Sequence, residues 1–260
     1  MQAVVKGDLM PVTVARPSLR DQFSVVLQLL YTDYRAQAPF LIITSLFLPL
    51  GIVWIIRQYA GSGPVTTWLL AGNMVLAVSY GSLTFALWRS AALRLTGEIN
   101  FYGALPISQI VFVVSIFTVS LLSTLPPLLA AGAIGRWMLG IPIGRLFLAI
   151  PLALLAAATL SLFGIAIGSL CRTMEQVQTL TQLTTLVVTI CSPVVLPLEK
   201  LPLPLKVTSF LLPPGQATIA LADSLAGNFG LRFWVMTGSL VAWLAVCTYL
   251  AAKRLDWRAK

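Results

Sequence analysis

The sequence predicts an all-α membrane protein: six transmembrane helices, an N-terminal interfacial amphipathic helix, a short cytoplasmic helix, and a re-entrant extracellular helical hairpin between helices five and six. Three observations carry this expectation. Of 260 residues, 58% are hydrophobic and only 10% are charged, whereas a soluble domain carries about a quarter charged residues. Charge-free intervals at 36–56, 58–88, 99–135, 146–171, 176–198 and 233–252 are each long enough for the ~20 apolar residues of a spanning helix. The interval 193–232 is broken by Pro193, Pro197, Pro202, Pro204, Pro213 and Pro214 into apolar pieces too short to span.

Spanning helices are expected near 38–57, 67–88, 110–133, 146–170, 177–197 and 233–252, in a single domain covering 1–260. Ahead of the first, Leu19, Phe23, Val26, Leu27, Leu30 and Tyr34 recur at helical spacing, with Arg20, Asp21, Ser24 and Gln28 largely elsewhere. That is an amphipathic helix over 18–35 lying in the interface. Asp33, Arg35 and Pro39 predict a break before the first span, the alternative being a plain N-terminal extension of it. The first 35 residues are too polar for a signal peptide, so insertion is expected through the first span. Proline-broken segments such as 207–212 and 217–225 read as re-entrant or interfacial helices, shielded by protein wherever they reach membrane depth.

Six spans put both termini on one side. The N-tail, the 89–109 and 172–175 loops and the C-tail hold 11 of the 17 Lys and Arg residues. The positive-inside rule places that side in the cytoplasm. The net charge of +9 is therefore topological, and no run of five like charges predicts a nucleic-acid partner.

The chemistry is as informative for what it lacks. With no histidine in the chain, imidazole acid–base catalysis and the commonest metal ligand are excluded. Cys171, Cys191 and Cys247 fit neither a metal spacing nor a disulfide framework and read as packing residues. No Gly-x-x-x-x-Gly-Lys-Ser/Thr loop cradles a nucleotide. No carboxylate pair lies inside a span, which argues against a proton-driven carrier, and no hydrolytic constellation is present. The chain is not expected to be an enzyme, and no metal site or cofactor is expected on it.

Two features remain. The stretch Arg94–Gln109 is far longer than a tight interhelical turn needs. It has room for a short helix with Thr96 as its cap and Glu98 in its first turn, stopped by Pro106. The fifth span carries Gln178, Gln182, Thr185, Thr189 and Ser192 at spacings of 4, 3, 4 and 3, which is one helix face. The second span carries Asn73, Ser79 and Tyr80. Such a polar face lines a translocation path or a subunit interface, or else its hydroxyls bond their own helix.

These residues resemble the permease subunit of ABC-2 type exporters, the daunorubicin-resistance-like and polysaccharide-exporting group. Arg94-Leu-Thr-Gly-Glu98 with Ala104-Leu-Pro-Ile-Ser108 resembles the family's loop after span two, although Leu95 stands where glycine is usual and Gly97 fills a variable position. Arg172-Thr-Met-Glu-Gln176 resembles its loop after span four. Pro193 to Leu205, followed by Leu212-Pro-Pro214, resembles its segment after span five.

The resemblance implies that 96–105 is a cytoplasmic coupling helix docking on a separate ABC ATPase subunit, which would hold the ATP and magnesium. Thr96, Gly97, Glu98, Phe101 and Leu105 would make that contact, with Arg172 and Glu175 bracing it. Asn73, Ser79, Tyr80, Gln178, Gln182, Thr185, Thr189 and Ser192 would line the substrate path. Pro197, Glu199, Pro202 and Pro213 would belong to an extracellular gate over 199–225. The working unit would pair this chain with a second permease, identical or homologous, in the lipid of a cell membrane, the inner or plasma membrane of a bacterium. The cargo would be an amphipathic drug or lipid. A lipid-linked polysaccharide on the same architecture, or a carrier or channel with no ATPase, is the alternative.

Overall fold

At membrane depth no water satisfies backbone N–H and C=O groups, so a spanning segment must be helical or part of a closed barrel. The computed structural model describes residues 18–60, 64–98, 108–191, 198 and 201–254, and among these there is no strand. The elements are α1 (Leu19–Ala60), α2 (Pro64–Val78), a π-helical segment (Ser79–Thr84), α3 (Phe85–Leu95), α4 (Gln109–Leu139), α5 (Ile143–Gly168), α6 (Met174–Cys191), α7 (Leu203–Leu211), α8 (Pro213–Ala226) and α9 (Leu231–Arg254).

Among the described residues four stretches are long and apolar enough to cross a membrane: Thr67–Leu95, Ile110–Trp137, Ile143–Gly168 and Leu231–Ala251. They coincide with the expected second, third, fourth and sixth spans. The expected first and fifth spans fall on α1 and α6, with 192–197 outside the described residues.

Helix α1 differs from expectation. It opens on a reciprocal cap, in which the Ser18 hydroxyl donates to Asp21 Oδ2 at 2.6 Å and accepts from the Asp21 N–H at 3.3 Å. It then runs through Pro39 without a break, so the 18–35 segment is the first part of one 42-residue helix. An interior proline costs about 3 kcal/mol. Val26, Leu30 and Tyr34 are buried in one cluster with Phe85, Phe112 and Ile116, and each such burial contributes roughly 1.5–3 kcal/mol. The apolar stripe therefore docks on the bundle instead of resting on lipid alone, and that docking outweighs the proline.

The second span is one rod whose middle turns are π-helical. Gly81 lies in this wide segment, where an added Cβ would stand 3.0 Å from Thr124 Cα of α4. The Ser123 hydroxyl reaches across to the Gly81 carbonyl. On the other side, Gly164 and Gly168 let α5 approach closely. A Cβ on Gly164 would meet the Leu83 carbonyl at 2.5 Å, and one on Gly168 the Leu87 carbonyl at 2.3 Å. This Gly-x-x-x-Gly contact is the close-packing device that replaces hydrophobic drive between helices in lipid.

The hairpin between α6 and α9 consists of α7 and α8. At 14 residues, α8 is about 21 Å long and cannot cross a hydrocarbon core of about 30 Å. It is buried from Pro213 to Leu225 and packs against α2, α5 and α9. Pro213 and Pro214 start it where missing N–H groups cost nothing, and Gly227 ends it at φ 80°.

Candidate coupling site and polar helix face

The first candidate site lies where the second span ends. Thr96 caps α3: its N–H reaches the Ala92 carbonyl at 2.8 Å and its hydroxyl reaches the same oxygen at 2.9 Å. Gly97 then turns the chain at φ 78°, a backbone conformation that side chains disfavour and glycine adopts freely. The next helical residue is Glu98. Thr96 is thus the C-cap of α3 and not the N-cap expected for the following helix, because the reversal at Gly97 separates the two. This also accounts for glycine at 97.

The reversal folds Glu98 back along α3. Its Oε2 pairs with Arg89 at 3.1 Å; the Arg89 side chain is 8% exposed and that of Glu98 39% exposed. The Thr96 hydroxyl also lies 3.2 Å from Glu98 Oε1. A nearly buried guanidinium of the second span thereby holds Glu98, the third residue of the predicted coupling segment. Sequence reasoning missed Arg89; the available signal was a cation inside an otherwise apolar helix end, nine residues before an acid. Phe101 and Leu105 lie outside the described residues.

Arg94 joins this end to α5. Its guanidinium donates to the Ser169 carbonyl at the C-terminus of α5, where a cation is favoured by the helix dipole. Arg94, Ser169, Leu170, Cys171 and Arg172 line a cavity of about 250 Å³. The Arg172 side chain is exposed, while its N–H donates to Gln176 Oε1 at 2.8 Å, and the Gln176 N–H reaches Thr173 Oγ1 at 3.2 Å. The 172–176 motif therefore caps α6 and leaves Arg172 and Glu175 facing outward. Burial raises the Cys171 thiol pKa, in keeping with a packing role.

The second candidate is the polar face of α6. Gln178 and Gln182 are exposed, and Thr185 and Thr189 are half-buried. The Thr189 hydroxyl returns to the Thr185 carbonyl at 2.9 Å. Val177 and Val188 turn inward, and Val188 packs with Leu76 and Tyr80. Tyr80 of the π-helical segment is thus brought to α6. Asn73 and Ser79 are buried within the chain, and the Ser79 hydroxyl is spent on the Val75 carbonyl at 2.7 Å. Ser192 lies outside the described residues.

The third group is the hairpin end. Pro202 is exposed and caps α7, and Pro213 is buried at the start of α8. Pro197 and Glu199 lie outside the described residues. Asp223, 4% exposed at its side chain, accepts both arms of Arg232: Nε donates to Oδ2 at 2.8 Å and the second nitrogen to Oδ1. Arg145 Nη1 donates to the Leu225 carbonyl at 3.3 Å. Two arginines from α5 and α9 thus fasten the C-terminal end of α8, a second pairing not legible in the sequence.

These features define the protein first by class: an all-α multi-pass membrane protein, with two short helices, α7 and α8, before its last long apolar helix. A family model described as ABC-2 family transporter protein matches residues 65–253. The chain belongs to that family and is a permease component of an ABC transporter, a class that works with ATPase subunits. No curated protein matches the chain.

Proposed function

We propose that the chain is the membrane-spanning permease subunit of an ATP-driven exporter, coupled to its ATPase through the segment beginning at Thr96. The observation that carries this reading is the Arg89–Glu98 pair. A push on the 96–105 segment reaches the second span through a charged contact and not through slack backbone. The same span holds the π-helical segment with Ser79 and Tyr80, and π segments concentrate at functional positions in helices. The sequence itself holds no phosphate-cradling loop, so the motor is assigned to the partner.

Gln178 and Gln182 support pairing with a second permease. An exposed amide on a helix at membrane depth needs a hydrogen-bonding surface opposite it or a water-filled path. The apolar lining with isolated amides and hydroxyls suits an amphipathic drug or lipid as cargo. The Lys and Arg bias of the sequence supports cytoplasmic termini, and on that topology the hairpin of α7 and α8 covers the path on the far side.

The test is reconstitution with the ATPase in vesicles. Export of fluorescent amphiphiles should require ATP and fall in Glu98→Ala, with membrane insertion unchanged. ATP-independent flux would instead support a carrier or channel.

A further inference from the structure

Helices α4 and α5 form an antiparallel pair closed by the turn at Gly140, which takes φ 66°. On their membrane-facing side they leave a groove of about 270 Å³, lined by Leu125, Leu129, Gly132 and Arg136 from α4 and by Phe147 and Ile150 from α5. The α4 positions recur at spacings of 4, 3 and 4, so the groove runs along the helix axis. Leu128 and Met74, both nearly fully buried, form its floor.

The groove is as long as one leaflet is thick. Eleven residues of helix separate Leu125 from Arg136, about 16 Å at 1.5 Å per residue. Half of a ~30 Å hydrocarbon core is ~15 Å. Arg136 marks the water end, and beside it Trp137 is 88% exposed, the position of an interfacial aromatic anchor. Arg136 is exposed and makes no ion pair among the described residues. The sequence holds no acid between Glu98 and Glu175, so neither α4 nor α5 offers it a carboxylate. Gly132 keeps the groove open, since a Cβ there would meet nothing within 4 Å.

We infer that this groove holds one acyl chain of a phospholipid bearing net negative charge, with its headgroup phosphate on Arg136. The walls match an acyl chain in chemistry and in length. The Arg136 guanidinium at the water end of the groove selects for net charge, while Arg145 at the same end of α5 is turned to the Leu225 carbonyl. The inference rests only on residence in a membrane. It stands apart from the coupling segment and from the identity of the cargo.

The experiment uses the full chain, purified in an uncharged detergent and stripped of lipid. Its thermal midpoint is followed with added phosphatidylglycerol or phosphatidylcholine, and retained lipid is counted by native mass spectrometry. The expected result is a rise of several degrees with phosphatidylglycerol, a smaller one with phosphatidylcholine, and one phosphatidylglycerol retained per chain. Arg136→Gln should reduce the first effect to the second, and Arg136→Lys should keep most of it. Gly132→Phe should fill the groove, abolish retention and leave the lipid-free midpoint unchanged; Leu129→Trp provides the same obstruction from an exposed position. Equal effects of the two lipids on the wild type, or an unchanged preference in Arg136→Gln, would overturn the inference. So would disulfide cross-linking of Leu129→Cys chains to one another in native membranes, which would make the groove a contact between copies.

Discussion

Glu98 sits across the Gly97 turn from Arg89, its carboxylate 3.1 Å from a guanidinium that is 8% exposed. The pair joins the segment after the second span to the span itself. Removing one partner from a fully buried pair costs more than from an exposed one. With Glu98 partly in water, the loss is expected at about 2 kcal/mol. Arg89→Gln and Glu98→Gln should each lower transport and stimulated ATPase activity, and the double variant should lose much less than the sum. Strict additivity in that cycle would show that the two residues act separately.

Gly97→Ala should weaken the same linkage through the backbone alone. At φ 78° an alanine costs about 1 kcal/mol or more relative to glycine. Gly97→Asn, which tolerates this region better, should retain more ATPase stimulation than Gly97→Ala. Equal activity of the two variants and the wild type would mean that the turn is not part of coupling.

Gly168→Val should separate α5 from the second span. Even a Cβ at 168 would stand 2.2 Å from Ser90 Oγ and 2.3 Å from the Leu87 carbonyl, so backbones must move, at a cost of about 1–3 kcal/mol. Thermal unfolding in detergent should show that loss. Gly132→Val, where space is open, should show little.

The Asp223–Arg232 pair predicts an asymmetry. Arg232→Met leaves a carboxylate buried to within 4% exposure, at a cost of about 3–5 kcal/mol. Asp223→Asn leaves an arginine that is already 43% exposed and can turn to water. The arginine substitution should therefore lower the thermal midpoint further; the reverse order would contradict the assignment of burial.

The proposed pairing through the α6 stripe, where the second permease is a copy of this chain, predicts cross-linking. Gln182→Cys chains should form disulfide-linked dimers under mild oxidation in membranes. Cysteine at Ser161, a buried position, should not.

Four of the six expected spans were legible because composition and charge-free length decide them; these intervals lie on helices of the right length and apolarity. The continuity of α1 was legible only as the alternative reading, because Pro39 signals a break locally while the docking of Val26, Leu30 and Tyr34 is a tertiary event. The Gly164-x-x-x-Gly168 signal was present in the sequence and went unread among many small residues. The π-helical turns at Ser79–Thr84 have no sequence mark; Gly81 within them lies close against Thr124 of α4. Glu98 stood out as a lone acid, but its partner Arg89 became visible only when the turn at Gly97 brought them together. Arg232 was likewise hidden from Asp223 until the end of α8 was fixed.

The central claim is that an ATPase partner drives this chain through the segment after its second span. The most direct measurement is affinity purification of the tagged chain from its native membranes, followed by photolabelling with an azido-ATP analogue. The account predicts a stoichiometric, labelled nucleotide-binding chain with the wild type, and its weakening or loss when Glu98 and Leu105 are both replaced by arginine. Purification of the chain with no ATP-binding partner, while transport activity persists, would contradict it.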